Sequence, residues 1–246
     1  MNKVVLVISL LLVLVFTFSC SSDSGDVPTC SGEKYDTSAY RCESNELVGK
    51  CKGNDYYPAY EICNDGVIED KFGYFTDSRD RQVYKWVKIG NQIWTAENLK
   101  FNAENSQCPR GKYVDCEIYG RLYNWSTAMA ACPNGWHLPS NKEWTTLVDK
   151  VGGKEIAGTK LKAKDEGGSD EYGFSALLPN SCKEVNSEID RAICNMVGGN
   201  PSITWWTATE YSSSYAYEWV MFPNGAGMFD SEEDKSWTSY VRCVQD

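Results

Sequence analysis

The cysteines are the residues whose number and spacing point most directly to chemistry. The sequence contains eleven cysteines and one histidine, His137. Zinc binding is the weaker interpretation, because zinc sites use closely spaced Cys or His pairs and this chain has no Cys-x-x-Cys. Without Cys20 the set is even, which suits complete pairing in an oxidising compartment. The spacing predicts these disulfides: Cys30 with Cys42, Cys51 with Cys63, Cys108 with Cys116, Cys182 with Cys194, and Cys132 with Cys243.

Catalysis needs a nucleophile, a base or a metal, and the sequence offers no familiar arrangement of them. His137 lies within Gly-Trp-His-Leu-Pro, where a packed or hydrogen-bonded structural histidine is favoured over a general base. Residues 153–160 are similar to a phosphate-binding loop, but Thr159 and Lys160 stand in the wrong order, so a surface turn is expected. A redox enzyme would need a free thiol pair. We therefore expect no catalytic residues and no enzyme activity, while carboxylate chemistry stays open.

The N-terminal residues predict export. An apolar run over residues 4–18 is typical of a secretory signal and is shorter than the roughly twenty residues of a membrane span. The sequence before Cys20 is similar to a bacterial lipoprotein processing site, with Thr17 in place of the usual Leu. It predicts a signal peptide over 1–19, a diacylated Cys20 and a flexible tether over 20–29. The alternative is an ordinary signal peptide whose removal leaves Cys20 as a spare thiol.

The charge of the chain limits its partners. Its formal net charge is −10 at pH 7, which disfavours nucleic acid as a partner, because binding to phosphates needs clustered Lys and Arg. An acidic surface also repels anionic lipid headgroups. Attachment to a membrane should therefore depend on the acyl chains of a lipid anchor rather than on a basic patch.

Residues 30–71 contain an internal repeat of 21 residues. The unit Cys-x-Gly-x-x-Tyr-x(6)-Cys begins at Cys30 and again at Cys51. Each unit resembles a small hairpin closed by a disulfide, and units of this size cannot bury a core, so the disulfide must carry much of the stability. A spacer between a lipid anchor and a domain is the favoured interpretation, and a ligand-binding role is the alternative.

The remaining residues, 72–246, have the pattern of an α+β domain. Alternating apolar residues over 83–89 and 92–94 flank Gly-Asn and predict a hairpin. Apolar spacing predicts a first helix over 121–132. A second helix should begin after Ser140, which forms a capping box with Glu143, and should end at Gly152 and Gly153. Short strands are predicted over 202–207, 215–222, 228–229 and 240–244, with a turn at 223–227. Helices followed by strands favour α+β over parallel α/β.

Aromatic and acidic residues in the last strands are the candidate ligand contacts. Aromatic rings often lie at binding surfaces and could stack on sugar rings. The candidate ligand-binding residues are Trp205, Trp206, Tyr215, Tyr217 and Trp219. Trp205 and Trp206 point to opposite faces of a strand, so at least one should belong to the core. The cluster Asp230, Glu232, Glu233 and Asp234 could coordinate calcium through oxygen atoms, but its spacing favours a solvated acidic turn.

Several motifs in order carry a specific resemblance to a known family. They are residues 87–99 (VKIGNQIWTAENL), 119–125 (YGRLYNW) and 131–140 (ACPNGWHLPS), with later matches at 170–176, 205–210 and 241–244. These residues resemble the Fibrobacter succinogenes major paralogous domain family over 72–246. The resemblance implies an exported, often lipid-anchored bacterial protein of no established biochemical role. A looser similarity, to the C-type lectin fold and the formylglycine-generating enzymes, implies a domain of two helices and short antiparallel strands. The calcium-binding motifs of that fold, Glu-Pro-Asn or Gln-Pro-Asp and Trp-Asn-Asp, are absent from this sequence.

The functional expectation combines these features. An anchor, a spacer and a compact domain predict a lipid-anchored protein of the cell envelope, at the outer membrane or cell surface. We expect a non-catalytic binding or adhesion module whose ligand is a carbohydrate or an envelope protein. The alternatives are an envelope structural protein and a diverged enzyme of the formylglycine-generating type. No cofactor is expected, and calcium has only the weak support of the acidic cluster.

Overall fold

The computed structural model describes residues 29–30, 33–34, 36, 38–44, 46–178 and 202–246. The predicted signal peptide, the lipidation site at Cys20 and the predicted pair of Cys182 with Cys194 lie outside these residues. The chain divides into two compact units, one ending at Glu69 and the other running from Asp70 to Asp246.

The N-terminal unit consists of short strands joined by disulfides. The strands are β1 (Thr29–Cys30), β2 (Glu33–Lys34), β3 (Tyr40–Glu43), β4 (Glu46–Cys51), β5 (Asn54–Tyr56), β6 (Glu61–Asn64) and β7 (Val67–Asp70). They form the sheets β1-β2, β3-β4-β5 and β6-β7. The two predicted local disulfides are confirmed, with Cα–Cα distances of 5.6 Å for Cys30 to Cys42 and 5.5 Å for Cys51 to Cys63. Among the described residues of this unit, the buried hydrophobic side chains are Cys30, Val48 and Cys51, so the disulfides supply much of its core.

The C-terminal unit has a mixed α+β architecture with antiparallel strands in small sheets. Its strands are β8 (Phe72–Thr76), β9 (Val83–Ile89), β10 (Gln92–Thr95), β11 (Tyr123–Asn124), β12 (Trp136–His137), β13 (Ile203–Glu210), β14 (Tyr215–Met221), β15 (Met228–Asp234), β16 (Thr238–Ser239) and β17 (Val244–Gln245). Its helices are α1 (Tyr113–Tyr119), α2 (Trp125–Ala128), α3 (Asn141–Lys150) and α4 (Lys154–Leu161). The sheets have the orders β12-β17-β10-β9-β8, β13-β14-β15 and β11-β16.

The predicted hairpin and the predicted second helix are confirmed. β9 and β10 pair antiparallel around Gly90, whose φ of +63° suits glycine in a tight turn. Ser140 and Glu143 form the expected capping box at the start of α3, which satisfies backbone N–H groups that a helix end leaves without partners. The apolar side of α3 is buried through Trp144, Leu147 and Val148.

Within its described residues, two disulfides hold the C-terminal unit together, as predicted. Cys108 is bonded to Cys116, and Cys132 is bonded to Cys243 across 111 residues of sequence. The long bond fastens the chain beside β12 to the chain beside β17, and these two strands pair with each other. The bond between Cys132 and Cys243 closes the longer loop and so restricts the unfolded chain more. In the chain-entropy model it should therefore contribute more to the free energy of unfolding.

The core lies on both sides of β13. Trp205 packs in one cluster with Trp94, Trp144 and Phe174, whose ring centroids lie 4.7 to 6.2 Å apart. Trp206 belongs to a second cluster on the opposite face of the strand. A strand covered on both faces is hydrophobic at consecutive positions rather than at alternate ones. This explains the run of buried residues from Trp205 to Thr207.

Three secondary-structure predictions need correction. The helix predicted over 121–132 is instead β11 followed by the four-residue α2, because Tyr123 pairs with Ser239 and the Asn124 side chain caps α2. The surface turn predicted over 153–160 is helix α4, which packs against the loop before β15 through Gly158. Of the strand predicted over 240–244, only Val244 lies in a strand, β17, and residues 240–243 lie between β16 and β17. The described residues therefore contain four α-helices rather than two.

Candidate functional site

The three candidate tryptophans are core residues. Trp205, Trp206 and Trp219 have no exposed surface. Their indole N–H groups donate to the Asn98 side chain, the Tyr123 carbonyl and the Asn141 side chain, at 2.6 to 2.8 Å. A buried indole usually has such a partner. The prediction that these tryptophans stack on a ligand at the surface is therefore wrong, because β13 and β14 are covered where they lie.

The two candidate tyrosines lie on a solvent-facing part of the same sheet. Tyr215 is 44% exposed and Tyr217 is half-buried. In the antiparallel pairing of β14 with β15, Tyr215 lies opposite Asp234 and Tyr217 opposite Glu232. Directly opposite residues project from the same face of a sheet. The face therefore carries tyrosines on one strand and carboxylates on the next.

A third tyrosine extends this face. Tyr211, which is 55% exposed, lies in the loop between β13 and β14. Its ring packs edge to face against the ring of Tyr217 with a centroid distance of 5.3 Å. We call the surface formed by Tyr211, Tyr215, Tyr217, Glu232 and Asp234 the tyrosine–acid face.

Lys235 fixes the loop that bears Tyr211. Its backbone N–H donates to the carbonyl of Ser214 at 2.9 Å. Its ammonium donates to the carbonyls of Ser212 and Ser213 at 2.7 and 3.0 Å and also contacts Glu210. These bonds join the loop to the turn after β15, so the tyrosine is presented on a hydrogen-bonded support.

The tyrosine–acid face ends at Trp219. The next aromatic and acidic pair along β14 and β15, Trp219 with Asp230, is covered by the start of α4. Asp230 lies opposite Trp219. Lys154, the first residue of α4, forms an ion pair with Asp230 and places its ammonium 5.4 Å from the centre of the Trp219 ring. The hydrogen bond from Lys154 lowers the pKa of Asp230 despite partial burial. The aromatic and acidic pairs beyond this point, toward Tyr215, remain open to solvent.

The carboxylates of the face are placed to accept hydrogen bonds. The backbone N–H and hydroxyl of Ser236 donate to Asp234 and lower the pKa of its carboxyl group, so this group is ionised at neutral pH. Glu232 is exposed, and no hydrogen bond or ion pair joins its side chain to another residue in the described part of the chain. An ionised carboxylate accepts hydrogen bonds through two oxygen atoms, so Glu232 can bind hydroxyl groups of a ligand.

The acidic cluster lies on a strand and not in the predicted turn. β15 extends to Asp234 and carries all four acids. Asp230, Glu232 and Asp234 alternate along one face, while Glu233 lies opposite Ala216 on the other. Within residues 29–178 and 202–246, as far as they are described, no three His, Cys, Asp or Glu side chains are grouped as metal ligands. The calcium interpretation gains no support from this arrangement.

His137 connects β12 to the start of α3. Its Nε2 lies 2.9 Å from Glu143 Oε1, and its Nδ1 lies 2.6 Å from Asp246 Oδ1. Burial lowers the pKa of His137, but the hydrogen bonds with both carboxylates outweigh it and raise the pKa overall. The hydroxyl of Ser140 donates to Glu143 and not to the imidazole, so the geometry is that of a helix cap rather than of an activated nucleophile.

A cavity of about 400 Å³ lies between α4 and the loop before β15. Its lining includes Thr159, Lys162, Leu178 and Pro223. The ammonium of Lys162 donates to three backbone carbonyls of residues 222–225 at 2.7 to 3.2 Å. Since an ammonium has three donors, the lysine is saturated by the protein and cannot also bind an anion strongly.

Sequence reasoning found Tyr215 and Tyr217 as ligand contacts and Glu232 and Asp234 only as possible calcium ligands, and it missed Tyr211. The alternation of aromatic residues in β14 and of acids in β15 was the available signal. Their register, which pairs each tyrosine with an acid, and the contact of Tyr211 with Tyr217 depend on the fold.

Together these features define a disulfide-stabilised α+β domain that exposes tyrosine and carboxylate side chains on one sheet face. The family model for the Fibrobacter succinogenes major domain matches residues 87–245, and the chain belongs to this family. No curated protein and no solved structure matches the chain. In the described residues, no helix has the length and apolar character that crossing a membrane requires.

Proposed function

We propose that the protein is an exported, lipid-anchored envelope protein whose C-terminal domain is a non-catalytic module that binds a neutral glycan. The observation that carries this proposal is the tyrosine–acid face. It combines exposed aromatic rings with carboxylates that are ionised or lack protein partners. The ligand would stack its C–H surfaces on the rings and donate its hydroxyl groups to the carboxylates.

The charge of the face favours a neutral glycan over an anionic one. Glu232 and Asp234 lie directly beside the tyrosine rings. The cations at the two ends of this register both have partners, since Lys154 is paired with Asp230 and Lys235 with Glu210. A sulfated or uronic-acid-rich polysaccharide would bring its own negative charge against these carboxylates and against a chain of net charge −10, and like charges in close contact oppose binding.

Export and anchoring rest on the N-terminal pattern together with the disulfides. The apolar run over 4–18 and the position of Cys20 favour a lipoprotein signal. All eight cysteines among the described residues are disulfide-bonded, which is the usual state in an oxidising compartment. The N-terminal unit would serve as a spacer between the anchor and the glycan-binding domain. We also propose that the α+β domain is a variant of the C-type lectin fold, which an experimental structure would test.

Binding of the purified mature protein to insoluble neutral polysaccharides tests the function. We would measure depletion from solution by cellulose, xylan and mannan, with an acidic polysaccharide such as pectin as the anionic comparison. Replacing both exposed tyrosines, Tyr211→Ala with Tyr215→Ala, should weaken binding at least about fivefold, because an interface residue that matters contributes roughly 1 kcal/mol or more. Glu232→Gln should weaken binding less, since the amide oxygen still accepts a hydrogen bond.

Tyr74→Ala is the matched control. Tyr74 is 66% exposed but lies on β8, which belongs to a different sheet, so its removal should leave binding unchanged. The proposal is wrong if none of the neutral polysaccharides depletes the protein, or if Tyr74→Ala and the double tyrosine variant weaken binding equally. Capture of an envelope protein through the same tyrosines would support the alternative ligand class and contradict a glycan ligand.

A further inference from the structure

One disulfide of the C-terminal unit differs from the others in what surrounds its sulfur atoms. Cys108 precedes the turn Pro109–Gly111, and Cys116 lies within α1. Cys108 is partly exposed, whereas Cys116 is only 2% exposed. A thiolate from solution therefore has better access to Cys108 than to Cys116.

An arginine donates hydrogen bonds to both sulfur atoms of this disulfide. Nη1 of Arg121 lies 3.3 Å from Cys116 Sγ and 3.5 Å from Cys108 Sγ. The rest of the guanidinium donates to Ser106, through Nε to the hydroxyl at 2.9 Å and through Nη2 to the carbonyl at 3.2 Å. All of these acceptors are neutral.

The charge of Arg121 has no anionic partner in the described part of the chain. Arg121 is 9% exposed, and none of the ion pairs formed by the described residues includes it. Asp115, one residue before Cys116, forms its ion pair with Arg110 at 2.9 Å. A mostly buried cation is costly without an anion. Breaking the disulfide would create that anion, because Cys116 would become a thiolate next to the guanidinium.

We propose that the disulfide between Cys108 and Cys116 is a thiol–disulfide exchange site for dithiol reductants, with Arg121 stabilising the leaving thiolate. A thiolate of the dithiol attacks Cys108 Sγ and forms a mixed disulfide. The bond between the two protein sulfurs breaks, and its electron pair stays on Cys116 as a thiolate beside Arg121. Exchange of this kind is faster when the leaving thiolate is stabilised.

The second thiol of the reductant completes the reaction. The second thiol attacks the first sulfur of the reductant, which is bonded to Cys108 in the mixed disulfide. Cys108 is released and takes up the proton that the second thiol loses. The reductant leaves as a disulfide, so two electrons have passed from the dithiol to the protein. Cys108 ends as a thiol and Cys116 as a thiolate paired with Arg121.

The bond between Cys51 and Cys63 is a matched control within the same chain. It also joins a buried sulfur to an exposed one, since Cys51 is 1% exposed and Cys63 lies at the surface. In the described residues, no Lys, Arg or His side chain donates a hydrogen bond to either of its sulfurs. Cys63 is more exposed than Cys108, so accessibility alone would make the bond between Cys51 and Cys63 open at least as fast, and faster opening of the bond between Cys108 and Cys116 reports on Arg121.

The experiment is reduction of the full oxidised protein by dithiothreitol under native conditions, with alkylation at timed intervals and mass spectrometry of the cysteine peptides. We expect Cys108 and Cys116 to be labelled at least tenfold faster than Cys51 and Cys63. Arg121→Gln should remove most of this difference without changing the labelling of Cys51 and Cys63. Arg121→Lys, which keeps a positive charge, should retain part of it. Equal rates in the unchanged protein, or an unchanged difference in Arg121→Gln, would overturn the proposal.

A second measurement does not depend on the folding of the Arg121 variants. In Cys108→Ser, the thiol of Cys116 is free beside an intact Arg121, and its alkylation rate is followed against pH by mass spectrometry of its peptide. The midpoint should lie at least one pH unit below that of an ordinary thiol, which is about 8.5. A midpoint at or above that value would show that burial outweighs the arginine, and the exchange site would be rejected.

Discussion

Replacing Asn98 by alanine should destabilise the C-terminal unit by more than the loss of a small side chain. Asn98 is 5% exposed. Its Oδ1 accepts from the indole N–H of Trp205 and from Nε of Arg242, both at 2.8 Å, and its Nδ2 donates to the Tyr119 carbonyl at 2.8 Å. Arg242 is itself buried, and its other acceptors are the backbone carbonyls of Thr95, residue 174 and residue 175.

The magnitude follows from the groups that the alanine variant leaves without partners. A buried neutral donor without an acceptor costs about 1 to 3 kcal/mol, and a charged donor costs more. Asn98→Ala removes the acceptor of a neutral donor, the Trp205 indole, and of a charged donor, the Arg242 guanidinium, and it removes the donor to the Tyr119 carbonyl. We therefore expect the free energy of unfolding to fall by roughly 3 to 6 kcal/mol. This is a large part of the 5 to 15 kcal/mol that stabilises a typical domain.

Urea unfolding followed by tryptophan fluorescence measures this loss by linear extrapolation. Asn141→Ala is the comparison, because Asn141 Oδ1 accepts from one indole, that of Trp219 at 2.6 Å, and from no buried cation, and its other side-chain hydrogen bond is to the partly exposed Asp230. It should cost about 1 to 2 kcal/mol. If Asn98→Ala costs no more than Asn141→Ala, the buried arginine does not depend on Asn98 and the reasoning is refuted.

Three further predictions concern pH and packing. Hydrogen bonds with Glu143 and Asp246 raise the pKa of His137, so protonated His137 stabilises the fold below its ordinary pKa of about 6.5, and this stabilisation is lost as pH rises through the higher folded pKa. The free energy of unfolding in urea should fall between pH 6 and pH 8.5 by less than about 1 kcal/mol, because the ring is 42% exposed. His137→Gln should abolish this fall. Burial raises the pKa of Glu218, and this effect outweighs the hydrogen bonds from nearby hydroxyls, which lower it. The free energy of unfolding therefore falls as pH rises through that pKa. Glu218→Gln should raise the free energy of unfolding at pH 7 but not at pH 4, and equal effects at both pH values would contradict this. Gly158→Ala should lower the thermal midpoint despite the better helix propensity of alanine, because the new Cβ would lie 2.4 Å from a backbone carbonyl; an unchanged or raised midpoint would show that the loop before β15 yields.

The disulfides were predictable because local spacing limits their geometry. Equal separations of twelve residues in two repeats pointed to two closed loops, and the pairing of Cys132 with Cys243 followed once the local pairs were assigned. The start of α3 was predictable for a similar reason, since a capping box uses residues only three positions apart.

The tertiary surroundings of the strands were not predictable from the same patterns. Alternation places Trp205 and Trp206 on opposite faces, but it does not tell whether one face or both are covered, and both are buried. The apolar spacing of 121–132 fits a helix, yet the pairing of Tyr123 with Ser239 takes its first residues into a strand. Contacts that span more than a hundred residues carry no local signal.

The tyrosine–acid face was half predictable. The sequence showed alternating aromatic residues at Tyr215 and Tyr217, and it showed acids nearby. It could not give the register that places Glu232 opposite Tyr217, nor the loop that brings Tyr211 against the same ring.

Amide hydrogen exchange of the mature protein, with and without soluble oligosaccharides from the neutral polysaccharide that binds, tests glycan binding at the tyrosine–acid face most directly. Exchange reports on individual segments of backbone. We expect slower exchange in residues 211–217 and 230–234, and no change in β8 and β9. Protection confined to another part of the chain, or no protection at oligosaccharide concentrations that saturate binding, would contradict the assignment of this face as the binding site.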